Sequence, residues 1–376
     1  MPHARDKNPS ASGHVHDGSC GSGCCCGSGD GGADPARITL PDHRADPILV
    51  EVTRGPLIES VHRGRAVAVD AGGHVLASWG DIQAPVYPRS SNKSLQALPL
   101  VESGAADAFG LDDAELALAC ASHQGEPMHT TRVGAWLARL GLSAADLECG
   151  AHAPYHAPTW EAMLRRGEAF SALHNNCSGK HSGMLTTALH KGESLKGYVG
   201  YQHPVQQRIL GVIEQMTGQD LSHAPWGVDG CSIPTIGVPL EALAYAMARM
   251  ADPVDLPSRR AEAATRLVRA WSRHPELVAG SDAFDTLFMQ ALNSRIVVKS
   301  GAEGMCCAVV PEVGIGVALK IDDGTGRAAG PAMAAVLRAL DLLTAAEGEA
   351  VQALAAPPIS NRAGLTVGTL RGGPAF

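Results

Sequence analysis

Strand-like segments at both ends of the chain and a long helical middle predict an α+β fold: one antiparallel sheet assembled from both chain ends, with the helices as a second layer or lobe. Three observations carry this prediction. Residues 46–80 alternate like strands, residues 90–274 place apolar side chains at helical spacing, and strand character returns from residue 294. Strands and helices do not alternate one for one, so the pattern is not that of repeated βαβ units.

The elements follow in order. Residues 1–45 are rich in Gly, Ser, Asp and His, with almost no periodic apolar positions. Such a segment buries too little surface to offset its ordering entropy and reads as a disordered tail. Within it, "HVHDGSCGSGCCC" groups His14, His16 and Cys20 with a cysteine triplet. The spacing matches no zinc-finger pattern, which leaves a biased flexible tail or a weak metal-capturing one. The segment 46–376 is then the folded domain.

"LIESVHRGRAVAVDAGGHVLASWGD" alternates around an "AGG" turn and predicts a β-meander. Helical spacing runs through "SNKSLQALPLVES", "DDAELALACA", "MHTTRVGAWLARLG" and "CSGKHSGMLTTALHKG". It continues through "HPVQQRILGVIEQMTG", "PLEALAYAMARMAD" and "PSRRAEAATRLVRAWSRH". Strands return at "SRIVVKSG", "CCAVVPE" and "GIGVALKIDD", and "GPAMAAVLRALDLLTAA" predicts a last helix.

Composition excludes several functions. The 376 residues are 45% hydrophobic and 18% charged, enough for a substantial core, and aromatics are only 4%, so that core is built from small and aliphatic side chains. Net charge is −8 with no basic block, which argues against nucleic acid or an anionic membrane surface as partner. No stretch approaches the roughly 18 uncharged apolar residues of a membrane helix. The N-terminus has no apolar run of a secretory signal, so a cytoplasmic protein is expected. Four of the ten cysteines lie in the tail; the other six are Cys120, Cys149, Cys177, Cys231, Cys306 and Cys307. That distribution is no disulfide framework, and reduced thiols or metal ligands are expected.

"YPRSSNKSLQALPL" raises the question of chemistry. Ser90 or Ser91 can cap the helix that follows Pro88, and Ser90 and Lys93 share one helical face. A serine hydroxyl needs a base, and a lysine serves when burial or a second cation lowers its pKa. Alone, the pattern reads as a capped helix start. "VVKSG", residues 297–301, supplies a lysine, a hydroxyl residue and a glycine on a late strand, the second half of the pattern of penicillin-binding proteins and β-lactamases. Ser122 in "CASHQGEP" is the middle hydroxyl or a plain helix C-terminal residue. Cys177, Lys180 and Cys231 are candidate ligands by type, but Cys-x-x-Lys is no zinc motif, and buried thiols beside a helix-start lysine fit the spacing better. "SGKHSG" fails as a P-loop because His181 stands where Ser or Thr is needed, and "DGTGRAAG" reads as a turn from strand to helix.

Taken together, "RSSNK" (89–93), "CASHQGEP" (120–127), "NNCSGKHSGML" (175–185), "GVDGCSIPT" (227–235) and "KSGAEG" (299–304) resemble the asparaginase II family, the rhizobial-type or class 3 L-asparaginases, over roughly residues 46–376. The resemblance implies a fold similar to serine β-lactamases and penicillin-binding proteins. It implies hydrolysis of L-asparagine to L-aspartate and ammonia by a homodimer. It also implies two Ser–Lys tandems, Ser90 with Lys93 and Ser122 with Lys299. Ser90 would be acylated, Lys93 would be its base, and Ser122 and Lys299 would relay protons and keep Lys93 neutral. One Zn2+ per chain is implied, held by Cys177, Lys180 and Cys231 with water as fourth ligand. An amino-acid substrate needs an anion for its ammonium and a cation for its carboxylate; Asp229 suits the first, Arg89 either fixes the carboxylate or steadies Asp229, and His181 is a further hydrogen-bond donor. Three other readings stay open: an amidase preferring glutamine or another amide, a penicillin-type acyl binder, and a metal-buffering protein acting through the Cys/His tail.

Overall fold

The structure, a computed structural model, describes residues 46–376; the expectations for the 1–45 tail lie outside the described residues. An eight-stranded sheet forms the frame. Its path runs Pro358–Ser360, Thr366–Gly372, Ile48–Arg54, Leu57–Asp70, Ile315–Ile321, Met305–Val310 and Val297–Gly301, with Val75–Trp79 paired to Leu57–Asp70 off that path. Every pairing is antiparallel. The α+β arrangement, with one sheet drawn from both chain ends and the helices between them, is therefore the observed one.

The long strand 57–70 explains how the sheet turns. Its first half pairs strand 48–54 and is largely exposed, whereas Gly64–Val69 is buried and pairs strand 315–321 on one side and strand 75–79 on the other. The meander turn falls at the "AGG" stretch, closed by Gly73 N–H donating to Asp70 O at 3.0 Å. Beyond the predicted strands, 358–360 and 366–372 add the last two strands to the path, where the sequence gives only a helical ending. The helix expected over 330–346 spans Gly326–Ala339 instead. It starts inside "DGTGRAAG", and Pro331 falls in its interior.

The helical lobe is organised around Ser178–Lys191, whose residues 178–188 are all buried. Its small and apolar residues let it sit in an interior, and the buried Lys180 and His181 are accommodated there by partners, Cys231 and Tyr198. Gly179 makes this possible on one flank: a Cβ there would lie 2.3 Å from Leu118 O, so only glycine lets this helix meet Asp113–Ala119 so closely. Asp112 and Glu115 fix the start of that second helix with a reciprocal capping box, Glu115 N–H to Asp112 Oδ1 at 2.9 Å and Asp112 N–H to Glu115 Oε2 at 3.1 Å. Its exit then delivers Ser122 to the side of the helix 178–191 start.

Candidate active site

The Ser90 turn is a 3-10 segment, Arg89–Asn92, running into the α-helix Lys93–Glu102. Neither serine is the helix N-cap; Asn92 holds that position and makes no side-chain cap. Ser91 closes the turn, its N–H at 3.1 Å and its hydroxyl at 2.7 Å from Pro88 O, so its hydroxyl is committed. Ser90 is half-buried and its hydroxyl has no hydrogen-bond partner among the described residues. Arg89 sits at φ 51°, a left-handed conformation that costs a non-glycine residue energy and is held here by surrounding contacts. One of those contacts is a two-atom bond to Asp229, Nε at 3.0 Å and Nη2 at 2.8 Å from Oδ1.

Strand 297–301 is an edge strand and packs directly on this turn. A Cβ on Gly301 would lie 3.0 Å from both Pro88 O and Ser91 N. The glycine of "KSG" thus sets the distance between the strand and the Ser90 turn.

Lys93 is 1% exposed, and its Nζ donates to Ala121 O at 2.6 Å, Ser122 Oγ at 2.8 Å and Cys177 Sγ at 3.0 Å. Burial pulls its pKa down to about 8; Cys177 opposes the shift, while Lys180 and Lys299 add to it. Ser122 is in turn anchored by its N–H to Val278 O at 2.8 Å. The block around it is stapled to the next one: His123 N–H reaches Asn176 O at 3.1 Å, and His123 Nε2 lies 2.9 Å from Ser178 Oγ. Glu126 accepts from Ser281 N–H and hydroxyl, both at 2.8 Å. His123 and Glu126 are thus what hold the Ser122 loop in place.

The pairing of lysines with serines differs from the two-tandem expectation. Lys93 binds Ser122. Lys299 donates instead to Asp285 Oδ2 at 3.3 Å and Ser300 O at 2.8 Å, and neither serine of the tandems is among its partners. The reason is Asp285, a buried carboxylate opposite strand 297–301, which claims the second ammonium. Sequence reasoning missed Asp285: in "SDAFDTLF" it reads as an acidic residue in a helix first turn, and only the fold shows what it faces.

The three expected metal ligands also converge. Cys231 rides the turn of a hairpin, Trp226–Val228 paired with Pro234–Ile236, which also carries Asp229. Lys180 Nζ donates to Cys231 Sγ at 3.1 Å. The hydrogen bond from the Cys177 thiol lowers Cys231 to about 5, with Lys180 and Lys93 adding to the effect against burial. The same bond, with burial, pushes Cys177 up to about 12. Lys180 is raised despite its burial, by the sulfurs of Cys177 and Cys231 and by Asp229. Two buried sulfurs in contact and one amine make a donor set suited to zinc, provided that Cys177 and Lys180 release protons as the ion enters. Among the described residues, no group of three or more His, Cys, Asp or Glu side chains forms a metal cluster, so the third donor here would have to be the lysine.

His181 lies deeper than a pocket-lining residue. It is fully buried, with Nδ1 at 2.8 Å from the Tyr198 hydroxyl and Nε2 unpartnered. Burial, then Lys180, lowers it to about 3 and keeps it neutral. Tyr198 also accepts from Glu148 N–H at 2.9 Å and is the support that the sequence did not reveal. Asp229 is held ionised against burial by Lys180 and Arg89.

The fold and site define an α+β protein with two serines and two buried lysines where the sheet edge meets the helical lobe. The chain belongs to the L-asparaginase II family, whose model matches residues 50–372. No curated protein matches it. Solved structures that it matches include a β-lactamase from Mycobacterium bovis, at 13% identity over 77% of this chain and 94% of that one, TM-score 0.38. A provisionally described β-lactamase from Bacteroides dorei matches at 12% identity over 69% and 84%, TM-score 0.38. Among the described residues, no helix is long and apolar enough to cross a membrane.

Proposed function

We propose that this chain is an L-asparaginase that forms an aspartyl ester on Ser90, with Lys93 as the base. Family membership supports the amide hydrolysis. The observation that carries the residue assignment is the buried Lys93 amine, 2.8 Å from Ser122 Oγ and three residues from Ser90 in the same turn. Ser122 passes the Ser90 proton to Lys93, the Ser90 oxygen attacks the side-chain amide carbon, and the proton returns to the departing ammonia. Water then attacks the ester, and the same groups return the proton to Ser90. Asp229 receives the substrate ammonium, and Arg89 holds Asp229 and faces the carboxylate. His181 acts from behind, buried and bonded to the Tyr198 hydroxyl, rather than by reaching an open pocket.

Cys177, Lys180 and Cys231 would hold a zinc ion, which supplies a fixed positive charge and a rigid wall beside Lys93. A homodimer is the accompanying proposal, supported by family likeness alone and checked by sedimentation; a cytoplasmic location is proposed with it and checked by fractionation.

The deciding experiment is ammonia release from L-asparagine and from L-glutamine, with and without a chelator. Turnover on asparagine that Ser90→Ala abolishes is expected. A Ser90→Ala variant with near-full ammonia release would overturn the assignment, and faster turnover of glutamine would move the substrate to the longer amide.

One observation favours a second reading. Lys93 is bonded to Ser122 and not to Ser90, so Ser122 itself is a rival acylation site. Mass spectrometry of a trapped acyl-enzyme distinguishes them by the labelled peptide.

A further inference from the structure

We propose that Gln124 is a specificity-determining residue, a fixed wall on the leaving-group side of the site that confines the reaction to unsubstituted carboxamides. The inference rests on the amide-hydrolase reading, in which Ser122 delivers the proton to the departing nitrogen, and adds what stands beside that nitrogen. Residues 121–126 bond as an extended chain does. Ser122 N–H donates to Val278 O at 2.8 Å, and the next amide, His123 N–H, turns to a different segment and donates to Asn176 O at 3.1 Å. Successive side chains of an extended chain point to opposite faces. His123 is fully buried and meets Ser178 Oγ at 2.9 Å, whereas Ser122 and Gln124, on either side of it, are half-buried. The face those two share is the one on which Ser122 Oγ meets Lys93 Nζ at 2.8 Å. Two residues of extended chain separate their backbones by roughly 7 Å, so the Gln124 side chain is the next group on the Ser122 side of the site.

That side chain has little freedom. It lies across Gly280, where a Cβ would come within 2.7 Å of Gln124 Cγ and 2.8 Å of Cδ and Oε1. Gly280 has φ 138°, a conformation that residues with a Cβ rarely adopt, so this close approach depends on glycine. The backbone is tied as well: His156 N–H donates to Gln124 O at 3.2 Å, and a Cβ on the next residue, Gly125, would lie 3.0 Å from His174 O and 3.2 Å from Pro154 Cα. Gln124 Oε1 is buried and has no hydrogen-bond partner among the described residues. The amide therefore anchors no structural network; what it contributes is bulk, pinned beside Ser122.

In the acylation step the Ser90 oxygen bonds to the amide carbon, the carbon–nitrogen bond breaks, and the nitrogen leaves with the proton that Ser122 delivers. Asparagine releases ammonia, which fits between Ser122 and Gln124. An asparagine carrying an ethyl group on its side-chain nitrogen would release ethylamine, and that ethyl group meets the wall. Both substrates form the same aspartyl ester on Ser90, so a difference in kcat/KM between them arises at or before acylation.

The test compares L-asparagine with its side-chain N-ethyl derivative in the full-length protein, following ammonia and ethylamine. In the wild type, kcat/KM for the N-ethyl amide should be at least about 100-fold below that for asparagine. Gln124→Ala should raise the ratio of the two by about tenfold or more, through an absolute gain on the N-ethyl amide, and Gln124→Asn, one methylene shorter, should raise it less. A gain on the bulkier substrate is what a merely structural role would not produce. Wild-type protein that turns over both amides equally overturns the proposal whether or not the variants fold. Variants that are folded by circular dichroism and lose both activities in proportion overturn it as well, and Gln124→Asn decides if Gln124→Ala does not fold. Wild-type protein that releases neither ammonia nor ethylamine is a different failure: it overturns the reading of the reaction and this inference with it.

Discussion

Arg89 grips Asp229 with two nitrogens, at 3.0 and 2.8 Å, and so ties the turn that bears Ser90 to the hairpin that bears Cys231. The pair spans the gap between the Ser90 turn and the sulfur pair, and it braces a left-handed residue at the first of them.

Breaking that tie should act on the reaction more than on folding. Arg89→Ala should lower kcat/KM for asparagine by on the order of 10²-fold, because Asp229 loses its partner and the Ser90 turn its brace. Arg89→Lys should restore little, since one ammonium cannot copy the guanidinium fork. Steady-state kinetics with circular dichroism as a folding control checks both; full rescue by lysine would show that charge alone matters.

Gly301 offers a test of distance. In Gly301→Ala the new methyl meets Pro88 O and Ser91 N at 3.0 Å and Met305 Cβ at 3.1 Å, two of them backbone atoms that cannot swing aside. The strand and the Ser90 turn must separate by a few tenths of an ångström. A stability loss of about 1–3 kcal/mol is expected from such overpacking, with a larger proportional loss of kcat. Denaturant melts and kcat measured together decide it, and unchanged kcat would show that the turn adapts freely.

Cys231 offers a test of the metal. Cys231→Ser should leave the purified protein with little zinc by elemental mass spectrometry, and Lys180→Met should weaken zinc retention while leaving both sulfurs. Wild-type zinc content in Cys231→Ser would move the metal elsewhere in the chain.

Acid stability should report on Glu347. Its hydrogen bond to Arg295, at 2.7–2.8 Å, holds the carboxyl at about 2, well below the usual glutamate value. A depressed carboxyl stabilises the fold fully above the unfolded glutamate pKa, and that contribution fades as pH falls through about 2. Arg295→Ala should therefore flatten the dependence of unfolding midpoint on pH in that acid range. An unchanged slope would place the acid sensitivity on other carboxyls.

Much of this was legible in the sequence, for identifiable reasons. The meander and the 297–321 strands announce themselves by alternation and glycine turns, and the buried helix 178–191 by its spacing. The blocks at 89–93, 120–127, 175–185, 227–235 and 299–304 are distinctive enough to name a family. What stayed hidden depends on contacts between distant segments. Strand 366–372 reads "TVGTLRG", two glycines in seven residues, and becomes a strand because Val50–Val52 offers it a partner. The Lys299 partner is Asp285, chosen by how the 284–291 helix packs on the sheet edge, which no local pattern encodes. The depth of His181 depends on Tyr198, a residue with no motif around it.

A sheet assembled from both chain ends also imposes an order in time. Ser90 and Lys93 leave the ribosome long before strand 297–301, and strand 48–54 is made before its partner 366–372 exists. Contacts so distant in sequence slow folding, because loop closure must precede any gain from the pairing. The nascent chain therefore carries Ser90, Lys93 and most of the helical lobe, but no finished site until strand 297–301 emerges to pack on the Ser90 turn.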